Sequence, residues 1–203
     1  MESYASKPII FLLMTIVSFA QFLFILRFLF EIARVSYNNP IAQLVVKATN
    51  PILIPFRIIP LYIGRLDLSI ILLITALTTL KLYINPSFSG FEYSFNALII
   101  AGFGFAIKEI LDILWWAVII GVVGSWITTY NLHPLFNLVD ELCNPMYRPI
   151  RNILPDMSGI DISPIILAKE ILVVKKQFKD NFVISALILL ILHILGLAVQ
   201  WSV

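Results

Sequence analysis

The sequence predicts an all-α integral membrane protein with about four transmembrane helices, built as two parallel copies of a helix–amphipathic loop–helix unit. Three observations predict it. Hydrophobic residues make up 60% of the 203 residues and charged residues 13%, with a mean hydropathy of +0.97. Soluble domains carry about 25% charged residues, and half that content cannot coat a surface that faces water. The apolar residues also fall in long runs, as a hydrocarbon core about 30 Å thick demands of ~20-residue helices. Third, one proline-arginine pattern occurs twice at equivalent places in the chain.

The first crossing covers residues 8–30. Lys7 precedes it, no small-x-small cleavage pattern closes it, and Arg27, Glu31 and Arg34 end it. It therefore reads as a retained helix, not a removed signal. Arg27 is placed to snorkel to the interface or to pair with Glu31 one turn on. The second crossing covers residues 66–84. The third, residues 113–130, follows an apolar stretch that begins near Tyr93 and is interrupted by Lys108, Glu109 and Asp112. A charge at mid-membrane costs at least about 2.5 kcal/mol, so Lys108–Asp112 is expected at an interface with an i,i+4 pair. Trp115 and Trp116 then join one aromatic belt, and Trp126 and Tyr130 the other. Residues 95–107 become a short interfacial or re-entrant helix, or an extension of the third helix; a fifth short membrane segment is the competing reading. Residues 162–174 contain Lys169 and Glu170 and run into Lys175, Lys176, Lys179 and Asp180. They read as a surface amphipathic helix, or as a short helix dipping into the membrane. The fourth crossing covers residues 182–201.

Charge placement sets the expected orientation. Arg34, Lys47, Arg57 and Arg65 lie between the first two crossings. Arg148, Arg151, Lys169, Lys175, Lys176 and Lys179 lie between the last two. The middle loop holds Lys81 and Lys108, offset by Glu92, Glu109 and Asp112. The positive-inside rule puts the first and third loops in the cytoplasm and both termini outside. The net charge of +2 is too small to suggest a nucleic-acid partner.

The repeat divides the chain into residues 1–90 and 91–203. Asn50-Pro51-Ile52-Leu53-Ile54-Pro55-Phe56-Arg57-Ile58-Ile59 and Asn144-Pro145-Met146-Tyr147-Arg148-Pro149-Ile150-Arg151-Asn152-Ile153 both fit N-P-x-x-x-P-x-R-x-I. Pro60, Gly64, Asp67 and Ser69 follow the first copy; Pro155, Gly159, Asp161 and Ser163 follow the second. Pro40 and Pro134 stand the same distance upstream of Pro51 and Pro145. Between them, Ile41, Leu44, Val45 and Ala48 match Leu135, Leu138, Val139 and Leu142, each set one apolar face of a short helix. Both units enter the membrane from the same side, unlike the inverted repeats of many transporters.

The motif residues suit helix boundaries. Asn50-Pro51 and Asn144-Pro145 read as a capping asparagine followed by a first-turn proline. Pro55 and Pro149 are expected to stop a regular helix. Asp67 and Asp161 sit where a carboxylate favours a helix N-terminus, Ser69 is placed to cap the second crossing, and Ser163-Pro164 repeats the cap-then-proline pattern. Arg57 and Arg151 have two open roles. They bind anionic lipid head groups or a partner's carboxylates, or they pair with Asp67 and Asp161 of their own repeat. Membrane lipids, a membrane-protein partner or a second copy of the chain are thus the expected partners.

Other polar groups are few: Ser18 and Gln21 in the first crossing, Thr75, Thr78 and Thr79 in the second, and His193 in the fourth. His193 has no second ligand at metal spacing along its helix, and His133 reads as a loop residue. Gly102, Gly104, Gly121 and Gly124 allow close helix approach. Cys143 is the single cysteine, so no internal disulfide forms. No HExxH, GxSxG, P-loop or dinucleotide pattern occurs. Neither a catalytic role, a cofactor nor a metal is expected.

The paired motif, the G-x-D-x-S of Gly159, Asp161 and Ser163 followed by Pro164, and Ser125-Trp126 at the end of the third crossing resemble the YggT family of bacterial membrane proteins. The resemblance covers nearly the whole chain as two tandem units. It extends to the YlmG-type proteins of Gram-positive bacteria and plastids, which carry one unit. The first copy departs from the pattern: Ile70 replaces the proline after Ser69, and Glu31-Ile32 replaces Ser-Trp. Lys169 to Asp180 form a more charged insert than is usual. The resemblance implies an inner-membrane protein linked to osmotic or ion stress tolerance, to assembly of membrane complexes, or to division and envelope organisation. It carries over no catalytic or ligand site.

Overall fold

A computed structural model describes residues 6–57, 62–63, 66–84, 95–125, 133–154 and 162–180. The expected fourth crossing at 182–201, with His193, lies outside the described residues, as do Asp161, Trp126 and Tyr130. Six helices appear among the described residues: α1 (Ser6–Ala33), α2 (Pro40–Phe56), α3 (Leu68–Ile84), α4 (Phe95–Ser125), α5 (Pro134–Ile153) and α6 (Ser163–Asp180). A two-residue antiparallel ribbon, β1 (Tyr62–Ile63) with β2 (Leu66–Asp67), separates α2 from α3 and pairs Tyr62 with Asp67.

α1 is long and apolar enough from Lys7 to Ala33 to cross a bilayer, and α3 is a shorter apolar helix. The first half of α1 turns large apolar side chains outward: Phe11 is 74% exposed and Phe19 63%. In water that surface would be costly, at about 25 cal/mol per Å². The second half buries Phe24, Ile25, Leu29 and Phe30. Gln21 is fully buried there, and its Nε2 donates to Thr78 Oγ1 on α3 at 2.7 Å. Between apolar helices in a bilayer such a bond contributes about 0.6–2 kcal/mol. α1 ends at Arg34, whose φ of 57° closes the helix in the left-handed conformation usually given to glycine.

α4 is a single helix, so residues 95–107 extend the third helix and form no separate element. Its Lys108 and Asp112 make the expected i,i+4 pair at 3.1 Å. Lys175 of α6 adds a second contact to Asp112 at 2.6 Å and lies over the Trp115 ring at 5.0 Å. Gly102 lies against Thr79 of α3 so closely that a Cβ would overlap the Thr79 side chain. At Gly121 a Cβ would stand 3.3 Å from Val139 of α5.

α2 and α5 depart from the expected boundaries. Each continues through both of its motif prolines, and neither Asn50 nor Asn144 begins a helix. The starts lie one motif upstream. Asn39 Oδ1 accepts from the Ile41 N–H at 2.9 Å, and His133 Nδ1 accepts from the Leu135 N–H at 3.2 Å. Pro40 and Pro134 occupy the first helical positions. His133 is therefore a helix cap and not a plain loop residue. Each interior proline withdraws the N–H due to the carbonyl four residues back: Lys47, Pro51, Glu141 and Pro145. Pro51 and Pro55 are exposed on α2, whereas Pro145 and Pro149 are half-buried on α5.

The apolar face of α2 is also rotated from expectation. Ala42, Val45, Thr49 and Leu53 are buried, whereas Leu44 and Ala48 are exposed. In α5, Leu138, Val139, Leu142, Cys143 and Tyr147 are buried. Val45, Thr49 and Leu53 correspond in the repeat to Val139, Cys143 and Tyr147, so three buried positions are shared, whereas Leu138 and Leu142 are buried where their counterparts Leu44 and Ala48 are exposed. The expected set failed in α2 because Leu44 is apolar without being interior.

The chain forms two compact units, one of Met1–Ile32 with Ala42–Ile107, the other of Ala33–Ile41 with Lys108–Val203. Two bonds fix the turn before α2 in the second unit. The Ser36 N–H donates to Glu141 Oε2 at 2.6 Å, and Asn39 Nδ2 donates to the Pro134 carbonyl at 2.7 Å.

Candidate functional site

In the first unit the motif arginine sits in a four-residue ionic cluster. Arg57 follows the last residue of α2 and is held by backbone bonds to the Leu53 and Ile54 carbonyls. Its Nε donates to Asp67 Oδ2 at 2.7 Å and its Nη2 to Glu31 Oε1 at 2.8 Å. The same Glu31 oxygen accepts from Arg27 Nε at 3.0 Å. Asp67 is only 2% exposed, and its Oδ1 accepts from the Ser69 N–H at 2.9 Å. Asp67, not Ser69, is thus the cap of α3. Burial works against the charge on Arg57, but the hydrogen bonds and charges of Glu31 and Asp67 outweigh it and hold the guanidinium above its ordinary pKa.

The ribbon explains why Asp67 arrives there. β2 pairs antiparallel with β1 and sets Asp67 opposite Tyr62, one residue before α3 begins. The cluster joins α1, the α2 terminus and α3 through charged hydrogen bonds. Of the two roles open to Arg57, the intramolecular pair is the one its geometry displays. Glu31 is the member that sequence reasoning left incomplete. Its pairing with Arg27 was readable from spacing, but its bond to Arg57 was not. The signal available was the acid standing at the end of the first crossing, where the second copy has Ser125.

In the second unit the motif residues lie on α5. Arg151 Nη1 donates to Asn144 Oδ1 at 3.3 Å, and its guanidinium lies 5.4 Å from the Tyr147 ring centroid. Pro145 and Pro149 are half-buried, while Arg148, Arg151 and Asn152 are exposed. Ser163 is the first residue of α6 and fully buried. There the Ile162 carbonyl receives the first backbone bonds, from Ile165 and Ile166 at 3.1 and 3.2 Å, so the cap falls one residue before the serine. In the first copy, Asn50 is half-buried and Pro51 and Pro55 are exposed on α2. Motif residues are therefore gathered within each unit: Arg57 with Asp67, and Arg151 with Asn144.

Cys143 is buried in α5. Burial pushes its thiol up to about 11, a hydrogen bond from Tyr147 offsets part of the rise, and the charge of Asp140 adds to it. A thiol so held is protonated at neutral pH and a poor nucleophile.

The family model described as CCB3/YggT matches residues 6–88 and again residues 100–178. The first match ends just beyond α3, and the second runs from within α4 into α6. An uncharacterized protein of Haemophilus influenzae is 32% identical over 173 residues, covering 85% of this chain and 90% of its own length. The protein named YggT in Escherichia coli K12 is 31% identical over 157 residues, covering 77% of this chain and 81% of its own. An uncharacterized protein of Pseudomonas aeruginosa is 30% identical over 158 residues, covering 77% and 80%. No solved structure matches the chain. A double match across most of the chain, over the helices that carry the paired proline-arginine motif, makes this protein a member of the CCB3/YggT family of bacterial membrane proteins.

Proposed function

We propose that this chain is a non-enzymatic scaffold or assembly factor of the bacterial inner membrane, contributing to stress tolerance. It crosses the bilayer about four times in two parallel repeats. Its proline-arginine loops face the cytoplasm and dock anionic lipids or partner proteins. One observation carries the reading: α2 and α5 each end in exposed apolar side chains beside a motif arginine. Ile54 and Phe56 adjoin Arg57, and Ile153, 84% exposed, follows Arg151. That arrangement suits helices lying in the interface, with apolar side chains at the acyl boundary and, on α5, the exposed Arg151 guanidinium among head groups.

The test is a mild-detergent pull-down of the full chain, with mass spectrometry of bound proteins and lipids. Arg57→Ala combined with Arg151→Ala is expected to lose the co-purifying species while membrane insertion and helicity persist. Unchanged co-purification in an intact variant contradicts the proposal.

A second reading, an ion or osmolyte transporter or a subunit of one acting in osmotic stress, draws on Gln21. Its Oε1 is buried without a hydrogen-bond partner among the described residues. This reading predicts potassium, sodium or proton flux in liposomes holding only this protein. Absence of all three fluxes removes it.

A further inference from the structure

The two copies of the motif differ at one position that changes what they can bind. On α5, Asn144, Arg148 and Arg151 stand at i, i+4 and i+7, one side of the helix, with Asn152 beside them. The corresponding first-copy residues are Asn50, Ile54 and Arg57, so an exposed isoleucine stands where the second copy has an exposed arginine. Arg57 has two of its nitrogens committed to Glu31 and Asp67. Arg148 makes no ion pair among the described residues, and Arg151 is braced by Asn144 and Tyr147. A cation in the last helical turn offsets the helix dipole. That accounts for Arg151 but leaves Arg148, nearly a turn further back, unexplained.

We infer that the α5 face of Asn144, Arg148, Arg151 and Asn152 binds the phosphate of an anionic phospholipid head group, and that the first copy of the motif does not. Two guanidinium groups one turn apart match the oxygens of a phosphodiester, and guanidinium forks bind such oxygens in pairs. Exposed Ile153 stands on the opposite side of α5 from this face, so a helix lying in the membrane interface turns Ile153 toward acyl chains and the two arginines toward head groups, which commits the site to a lipid and not to free phosphate. The inference rests on the docking reading above and assigns its ligand and its repeat.

The experiment uses the full chain in nanodiscs of equal phosphatidylglycerol and phosphatidylethanolamine. Lipids retained after transfer to mild detergent are counted by native mass spectrometry, and helicity is followed by circular dichroism. Retention in detergent reads paired guanidinium–phosphate hydrogen bonds and not the diffuse attraction that every basic residue near a membrane surface adds. Arg148→Ala with Arg151→Ala should therefore lower phosphatidylglycerol retention about thirty-fold, whereas Lys47→Ala with Lys169→Ala, of equal charge change, should leave it within about two-fold. If the double arginine variant loses helicity, Arg148→Gln alone decides, with about a five-fold loss expected. Retention unchanged in the folded arginine variants overturns the inference yet leaves docking by other residues standing. A wild-type chain that shows no preference for phosphatidylglycerol but retains a protein also overturns it and leaves partner docking standing. A wild-type chain that retains neither ends both.

Discussion

Arg34 holds a left-handed backbone that costs a non-glycine residue about 1 kcal/mol or more. Arg34→Gly should raise stability by roughly 0.5–1 kcal/mol, read as a higher midpoint of thermal unfolding in detergent; a lower midpoint would mean that the arginine side chain contributes more than its backbone costs. Asp67 has the opposite balance. Both of its oxygens are engaged, one by Arg57 and one by the Ser69 N–H. Asp67→Ala removes a helix cap and leaves Arg57 short of a counter-charge, so a loss of about 2–4 kcal/mol is expected in the same assay. Cys143 should resist alkylation at about pH 8 in the folded protein and react readily once unfolded, because its thiolate becomes abundant only toward pH 11. Fast labelling of the native protein would place the thiol outside its packed site.

The helices show how much of this structure the chain declares. The first crossing, the i,i+4 pair of Lys108 with Asp112, and the Arg57–Asp67 option were all legible, because each follows from spacing along the chain. The prolines misled. Read locally, Asn-Pro is a helix start, but Asn39 and His133 had already opened both helices, and a helix already running tolerates an exposed proline better than one must be nucleated from it. The buried face of α2 was misjudged for a related reason. Around an interfacial helix, apolar character marks both the side toward protein and the side toward lipid, so Leu44 and Val45 look alike in sequence. Gly102 was legible as a place of close approach, though not its partner. Substituting Gly102→Leu should force α4 away from Thr79 and lower the unfolding midpoint by several degrees, whereas Gly102→Ala combined with Thr79→Ala should recover part of that loss.

Across the molecule, the repeat was readable as a repeat of sequence, and among the described residues three buried positions and the caps of α2 and α5 repeat with it. Among the described residues its ionic chemistry differs. The first copy has Glu31 to engage its arginine, and the second has Ser125 at that place and an added Arg148. No property of either copy alone foretells this; it depends on which residues the chain return after α2 carries back to α1. The proposed division of labour, with Arg57 as an internal tie and the α5 arginines as a contact to the bilayer, requires both proline helices to lie on the cytoplasmic side. Impermeant-maleimide labelling decides that. In a Cys143→Ser background, single cysteines at the exposed positions Asn38→Cys and Asn152→Cys should stay unlabelled in intact spheroplasts and become labelled when the membrane is opened. Labelling of either position before lysis would contradict the shared orientation of the two repeats.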